Sequence, residues 1–217
     1  MDRGNRSQLA LAIILIAVAG WVDAVGLLRL GHLFVSFMSG NSTQLAVSGL
    51  GGRWRRAGAA GGIVGLFVAG VIGGRLLSNC ARAWGRPAVL LAEAVLLTLG
   101  AAVGRSTRLL IVPIVLAMGI QNAAIDKERA ADMGLSYVTG TLVSLGDGLA
   151  DAIHPPVHGR REEWVPHLLH WLALVLGALG GAASFHAWGR AALGFPAGVA
   201  LVLASVSAAR IERGRAQ

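Results

Sequence analysis

Two small polar clusters and two isolated carboxyls hold the side chains of this chain that could do chemistry. Ser39-Gly40-Asn41-Ser42-Thr43-Gln44 interrupts two apolar runs, and Thr139-Gly140-Thr141 does the same about a hundred residues later. Hydroxyls and amides are neutral donors and acceptors, suited to holding a small polar solute or an ion shorn of water. Gly40 and Gly140 would permit a close approach or a local bend. Asp23, in "GWVDA", and Glu93, in "LLAEAVLL", lie in or just inside apolar runs. An ionisable group is costly in such surroundings, and carriage of a proton or cation is its default function. The second-half counterpart of Asp23 is neutral, Gln121-Asn122 in "GIQNA".

Each feature also has a structural reading. Ser, Thr and Gly make packing surfaces between membrane helices, with hydroxyls bonding back to the preceding turn. Asp23 could pair with Arg29 near a span end, and Glu93 with Arg75 or another buried Arg. Asp147 and Asp151 stand one turn apart and read as a solvated helix end. His154, His158, His167 and His170, with Glu162 and Glu163, invite a zinc reading, but Pro155-Pro156 breaks any shared helical face between the first two. A polar loop is the expectation there, and no metal. The chain has no GxxxxGK[ST] phosphate loop, HExxH, GxSxG or Rossmann fingerprint. ATP hydrolysis, the familiar hydrolases and nucleotide cofactors therefore have no carrier, and no enzyme activity or cofactor is expected.

The elements that must position these residues follow from composition. The chain is 55% apolar and 14% charged, with mean hydropathy +0.65, more apolar surface than one compact soluble core would hide. Apolar stretches recur at about 9–28, 34–50, 57–77, 87–103, 109–125, 135–150, 165–185 and 191–208. Several approach the roughly 20 residues that span a hydrocarbon layer, so an all-α, polytopic helical membrane protein is expected, a single membrane domain over 1–217. Arg3 and Arg6 before the first run imitate a signal peptide, but cleavage would discard the helix of Asp23, so that run is expected to stay as the first span. Nearly all of the 19 basic residues sit between or beside the apolar runs, a pattern that argues for membrane orientation signals and against nucleic acid. Cys80, a lone cysteine, leaves no internal disulfide.

The chain also resembles itself. Gly20–Ala24 answers Gly119–Ala123 at an offset of 99, Val35–Asn41 answers Leu135–Thr141 at 100, Val68–Gly74 answers Val175–Gly181 at 107, and "AWGR" at 83–86 recurs at 187–190. Four matches in order point to a duplication with halves 1–104 and 105–217. If every segment crosses, there are eight spans in a parallel repeat. If the short second and sixth only dip in, there are six and the halves are inverted. Basic residues divide 12 to 7 in either case, favouring cytoplasmic amino and carboxyl ends without fixing the span number.

"GWVDAVGLLRLGHLFVSFMSGNSTQLA", followed by "MGIQNA" and "YVTGTL", resembles the YoaK-type bacterial membrane proteins, a family of unknown function. The likeness covers almost the whole chain, through Gly20, Asp23, Ser39–Asn41, Gly119, Gln121, Asn122 and Thr139–Thr141. It implies an integral protein of the bacterial inner membrane with about six spans, and no known substrate. Ser39 stands where Thr is expected, which keeps the hydroxyl. The run around Lys127 and Arg129 is more acidic than the family pattern. The combined expectation is a small gradient-driven transporter or facilitator for a small polar solute or ion. Its midplane site would be lined by Ser39, Gly40, Asn41, Gln44, Gln121, Asn122, Thr139, Gly140 and Thr141, with Asp23 or Glu93 as coupling group. The lipid bilayer is the expected partner, together with a homo-oligomer formed on small-residue helix faces. A non-transporting scaffold is the alternative, and an intramembrane enzyme comes third.

Overall fold

The computed structural model describes residues 3–31, 33–102, 107–125, 138–154 and 164–215. Each apolar stretch forms one helix: α1 (Arg3–Leu30), α2 (Met38–Leu50), α3 (Trp54–Ala81), α4 (Gly85–Ala102), α5 (Thr107–Gln121), α6 (Val138–Ile153), α7 (Trp164–Trp188) and α8 (Gly194–Arg215). Among the described residues there is no strand. Ser7–Leu30, Trp54–Ala102 and Trp164–Arg215 are long and apolar enough to cross a membrane. The second runs to 49 residues, about 73 Å if straight and more than twice a hydrocarbon layer. It folds back instead, through a 3-10 turn at Arg82–Trp84 that Arg82 enters at φ +49°. The third folds back at Gly189–Leu193, where Gly189 has φ +58°. Both copies of "AWGR" fall at these reversals.

The outside of the bundle is apolar. Val68, Ile72 and Leu76 on α3, Leu91, Val95 and Leu99 on α4, and Leu201 and Val202 on α8 all face outward. Buried polar side chains, Glu93, Asn41, Gln121 and His170 among them, sit inside. That inversion of the soluble pattern fits a chain whose solvent is lipid.

Glycine decides how the helices meet. A Cβ on Gly20, Gly177 or Gly181 would fall closer than 3.0 Å to the backbone of Leu174, Ala17 and Trp21 respectively, so α1 and α7 touch main chain to main chain. Gly119, Gly70 and Gly74 meet Phe67, Leu116 and Ile120 in the same way, joining α3 to α5. Adding 99 to 17, 20 and 21, and subtracting 107 from 174, 177 and 181, gives 116, 119 and 120 with 67, 70 and 74. Those are the six positions of the second seam.

Directions follow from the same contacts. Ala17 lies level with Gly177 and Trp21 with Gly181, so α1 and α7 are parallel; α3 and α5 are parallel likewise. One core cluster joins Val18, Val22 and Val25 of α1 to Leu110, Ile114 and Met118 of α5, and a second joins Leu11 and Leu15 to Ala124 and Ile120. The helices α1 and α5 are therefore antiparallel. Consequently α1 ends, and α3 begins, at the same end of the bundle. The chain between them makes a hairpin: Val35 returns to the level of Gly26, and the 13 residues of α2, about 20 Å, pack along α3. In the other half, α6 packs along α7 between the matching ends of α5 and α7.

Candidate functional site

The first polar cluster opens α2, and its most buried member holds its own approach loop. Asn41 is fully enclosed, its Nδ2 donating to the Phe34 carbonyl at 2.7 Å while its Oδ1 accepts the Phe34 N–H at 3.0 Å. Asp23 reaches the same loop from α1. One carboxylate oxygen accepts the N–H groups of Val35 and Ser36, both at 2.8 Å, and the other accepts the Ser36 hydroxyl. The loop backbone, which has no helix to satisfy it, thus finds partners in two side chains. Asp23 bonds to this loop and not to Arg29. A Cβ on Gly40 would lie 3.0 Å from the Phe37 ring and 3.2 Å from the Phe34 ring, so the two rings, which meet edge to face, would have to shift slightly to admit it. Ser42 and Thr43 bond back to the Met38 and Ser39 carbonyls, and Ser39 is exposed. Gln44 is half-buried.

The second-half residues have separate places. Gln121 is buried and donates Nε2 to the Leu15 carbonyl at 2.7 Å, tying α5 to α1. Asn122 is exposed and bonds back to Met118 at 2.9 Å. Thr141 is buried in α6, whereas Thr139 and Gly140 are exposed. The structure does not bring the two clusters together, because α2 packs on α3 and α6 on α7. Lys127, Arg129, His158, Glu162 and Glu163 lie outside the described residues.

Glu93 stands apart from all of these. It is 0% exposed in the middle of α4, and neither carboxylate oxygen has a hydrogen-bond partner among the described residues. Arg75 is exposed and is not its partner. Leu90, one turn before it, belongs to the cluster with Leu11 and Leu15; Leu97, one turn after, belongs to the cluster with Val18 and Val22. Glu93 therefore occupies the seam between the two halves of the core, near the level of the Gln121–Leu15 bond. Arg86, two turns away on α4, donates to the Ala124 carbonyl at 3.0 Å and to Gln8 Oε1 at 3.3 Å.

Two side chains expected in a polar loop are inside a helix. His167 and His170 lie on the buried face of α7 in register with Gly177 and Gly181. The i, i+3 spacing continued by the glycine stripe was the available signal. His154 is exposed just past α6, and no group of three potential metal ligands occurs among the described residues.

The chain is similar to the UPF0700 transmembrane protein of Rhizobium meliloti, 34% identical over 205 residues that cover 94% of this chain and 88% of the relative. No solved structure matches. Apolar helices folded back on one another and a transmembrane relative together make this a multi-pass membrane protein. The model of the family described as "Protein of unknown function (DUF1275)" matches residues 11–206, and the chain belongs to that family.

Proposed function

We propose that the protein is a small gradient-driven carrier for a polar solute or ion, with six spans in two inverted halves and α2 and α6 as hairpins that dip in from opposite sides. Glu93 is the observation that carries the reading. A carboxylate buried in an apolar span without a partner is too costly to be left uncompensated, so a proton or a cation has to accompany it. Asp23 is less suited to that task because its oxygens already accept from the loop.

The twin glycine seams support the inverted halves, as does the antiparallel setting of α1 against α5. The halves are also packed unequally. Helix α4 lies along α3 and α5, whereas its counterpart α8 lies along α4, touches α1 lightly and meets α7 through the 3-10 turn. Two inverted halves in unequal packing have a second arrangement with the roles exchanged, which is the basis of alternating access. Glu93 has Ala197 as its counterpart, so the coupling group belongs to one half only.

Reconstitution into vesicles tests the proposal. A screen of small polar solutes and monovalent cations, with and without a pH gradient, should find gradient-dependent uptake that Glu93→Gln abolishes. A protein that moves nothing under any gradient is a scaffold instead.

A further inference from the structure

The ion that accompanies Glu93 is narrowed by what surrounds the carboxyl. A sodium or potassium ion stripped of its water needs a cage of several oxygens. Glu93 brings two, and no group of three carboxylate, imidazole or thiol ligands occurs among the described residues. The buried neighbours of Glu93 on α4, Val89, Leu90, Ala94 and Leu97, are aliphatic. Main-chain carbonyls in mid-helix are committed to their own ladder. A proton needs no cage, because it makes one covalent O–H bond and leaves the acid neutral. An enclosed neutral hydroxyl is far less costly than an enclosed charge.

The elements around α4 supply no charge in place of that proton. On α4 itself, Arg86 is engaged with the Ala124 carbonyl and Gln8. On α5 the one charged residue is Arg108, in the first turn. On α3, Arg55, Arg56 and Arg75 are exposed. On α8, Arg210, Glu212, Arg213 and Arg215 are exposed in the last two turns, where Arg215 lies over the Trp84 ring before α4 begins. Arg82 and Arg190 belong to the 3-10 turns that meet the two ends of α4. On α1, Arg3 and Arg6 open the helix, Arg29 closes it, and Asp23 is bonded to the loop at Val35 and Ser36. Among the described residues, then, Glu93 meets neither a counter-charge nor a hydrogen-bond partner.

Resting on the carrier reading above, we propose that the coupling ion is a proton, held by Glu93 as a neutral carboxylic acid sealed in the core. Two measurements on the full chain test this separately from the carrier reading. The first is the infrared spectrum at neutral pH in a detergent without ester groups, read as wild type minus Glu93→Gln. The carbonyl stretch of a protonated carboxylic acid, above the main-chain amide band, should be present in the wild type and lost in the variant. Should Glu93→Gln fail to fold, Glu93→Leu provides the same subtraction. The second is uptake into vesicles, which a pH gradient should drive equally well when all sodium and potassium are replaced by choline. A wild type without the Glu93 band overturns the proposal. Uptake driven by a sodium or potassium gradient at equal pH, and lost in Glu93→Gln, overturns it too while leaving the carrier reading standing. If nothing moves under any gradient, the carrier reading falls and coupling with it, and the band alone decides whether Glu93 holds a proton.

Discussion

Glu93 and Asn41 are equally buried, yet they are expected to respond to substitution in opposite directions. Asn41 satisfies two backbone groups of the Phe34 loop, so Asn41→Ala should cost about 1–3 kcal/mol for the groups left unpaired. Glu93 satisfies nothing within the described chain, and Glu93→Leu, which removes an unpartnered polar group, should raise stability by about 1–3 kcal/mol. Reversible unfolding in mixed micelles measures both, and a destabilised Glu93→Leu would show that the carboxyl holds a contact. Both carboxyls were visible in the sequence as ionisable residues in apolar runs. Their difference was not, because the partners of Asp23 are main-chain amides of Val35 and Ser36, which leave no mark in a residue pattern. The polar knots were visible too, but their separation in space depends on which long helix each short one packs against.

Helices in this chain approach as closely as their backbones allow, and the approach is confined to particular glycines. Gly177 and Gly70 face main-chain atoms of α1 and α5, atoms that cannot move aside, so even Gly177→Ala or Gly70→Ala should destabilise by about 1–3 kcal/mol, as overpacking does. Gly58 and Gly62, on the open outer face of α3, have no such neighbour. There an alanine should be neutral or stabilise by about 0.5–1 kcal/mol through helix propensity alone. Unfolding of the four single variants separates the two classes, and equal effects across them would remove the seams as an explanation of the fold. Sequence located the eight α-helices of the described residues, since hydropathy and glycine reversals mark their limits. It could not tell a seam glycine from a lipid-facing one, because both sit in the same Ala/Gly-rich background.

Span number is the property of the whole molecule that composition left open, since basic residues divide 12 to 7 whether six or eight segments cross. The proposed six-span reading treats α2 as a hairpin: the loop before it returns to the level of Asp23 and Gly26, and its end leads into α3 on the side where α1 ends. Cys80, exposed at the end of α3, turns that difference into a measurement without any engineered residue. With α2 as a hairpin, α1 and α3 are the only crossings before Cys80, so the thiol lies on the same side as the amino terminus. Were α2 a full span, three crossings would precede it and the thiol would lie opposite. With the amino end cytoplasmic, as the charge bias favours, a membrane-impermeant maleimide should leave Cys80 unlabelled in intact cells and modify it in inverted vesicles. Labelling from the outside of intact cells would instead require α2 to cross, would make the halves parallel, and would remove the exchange of packing on which alternating access rests.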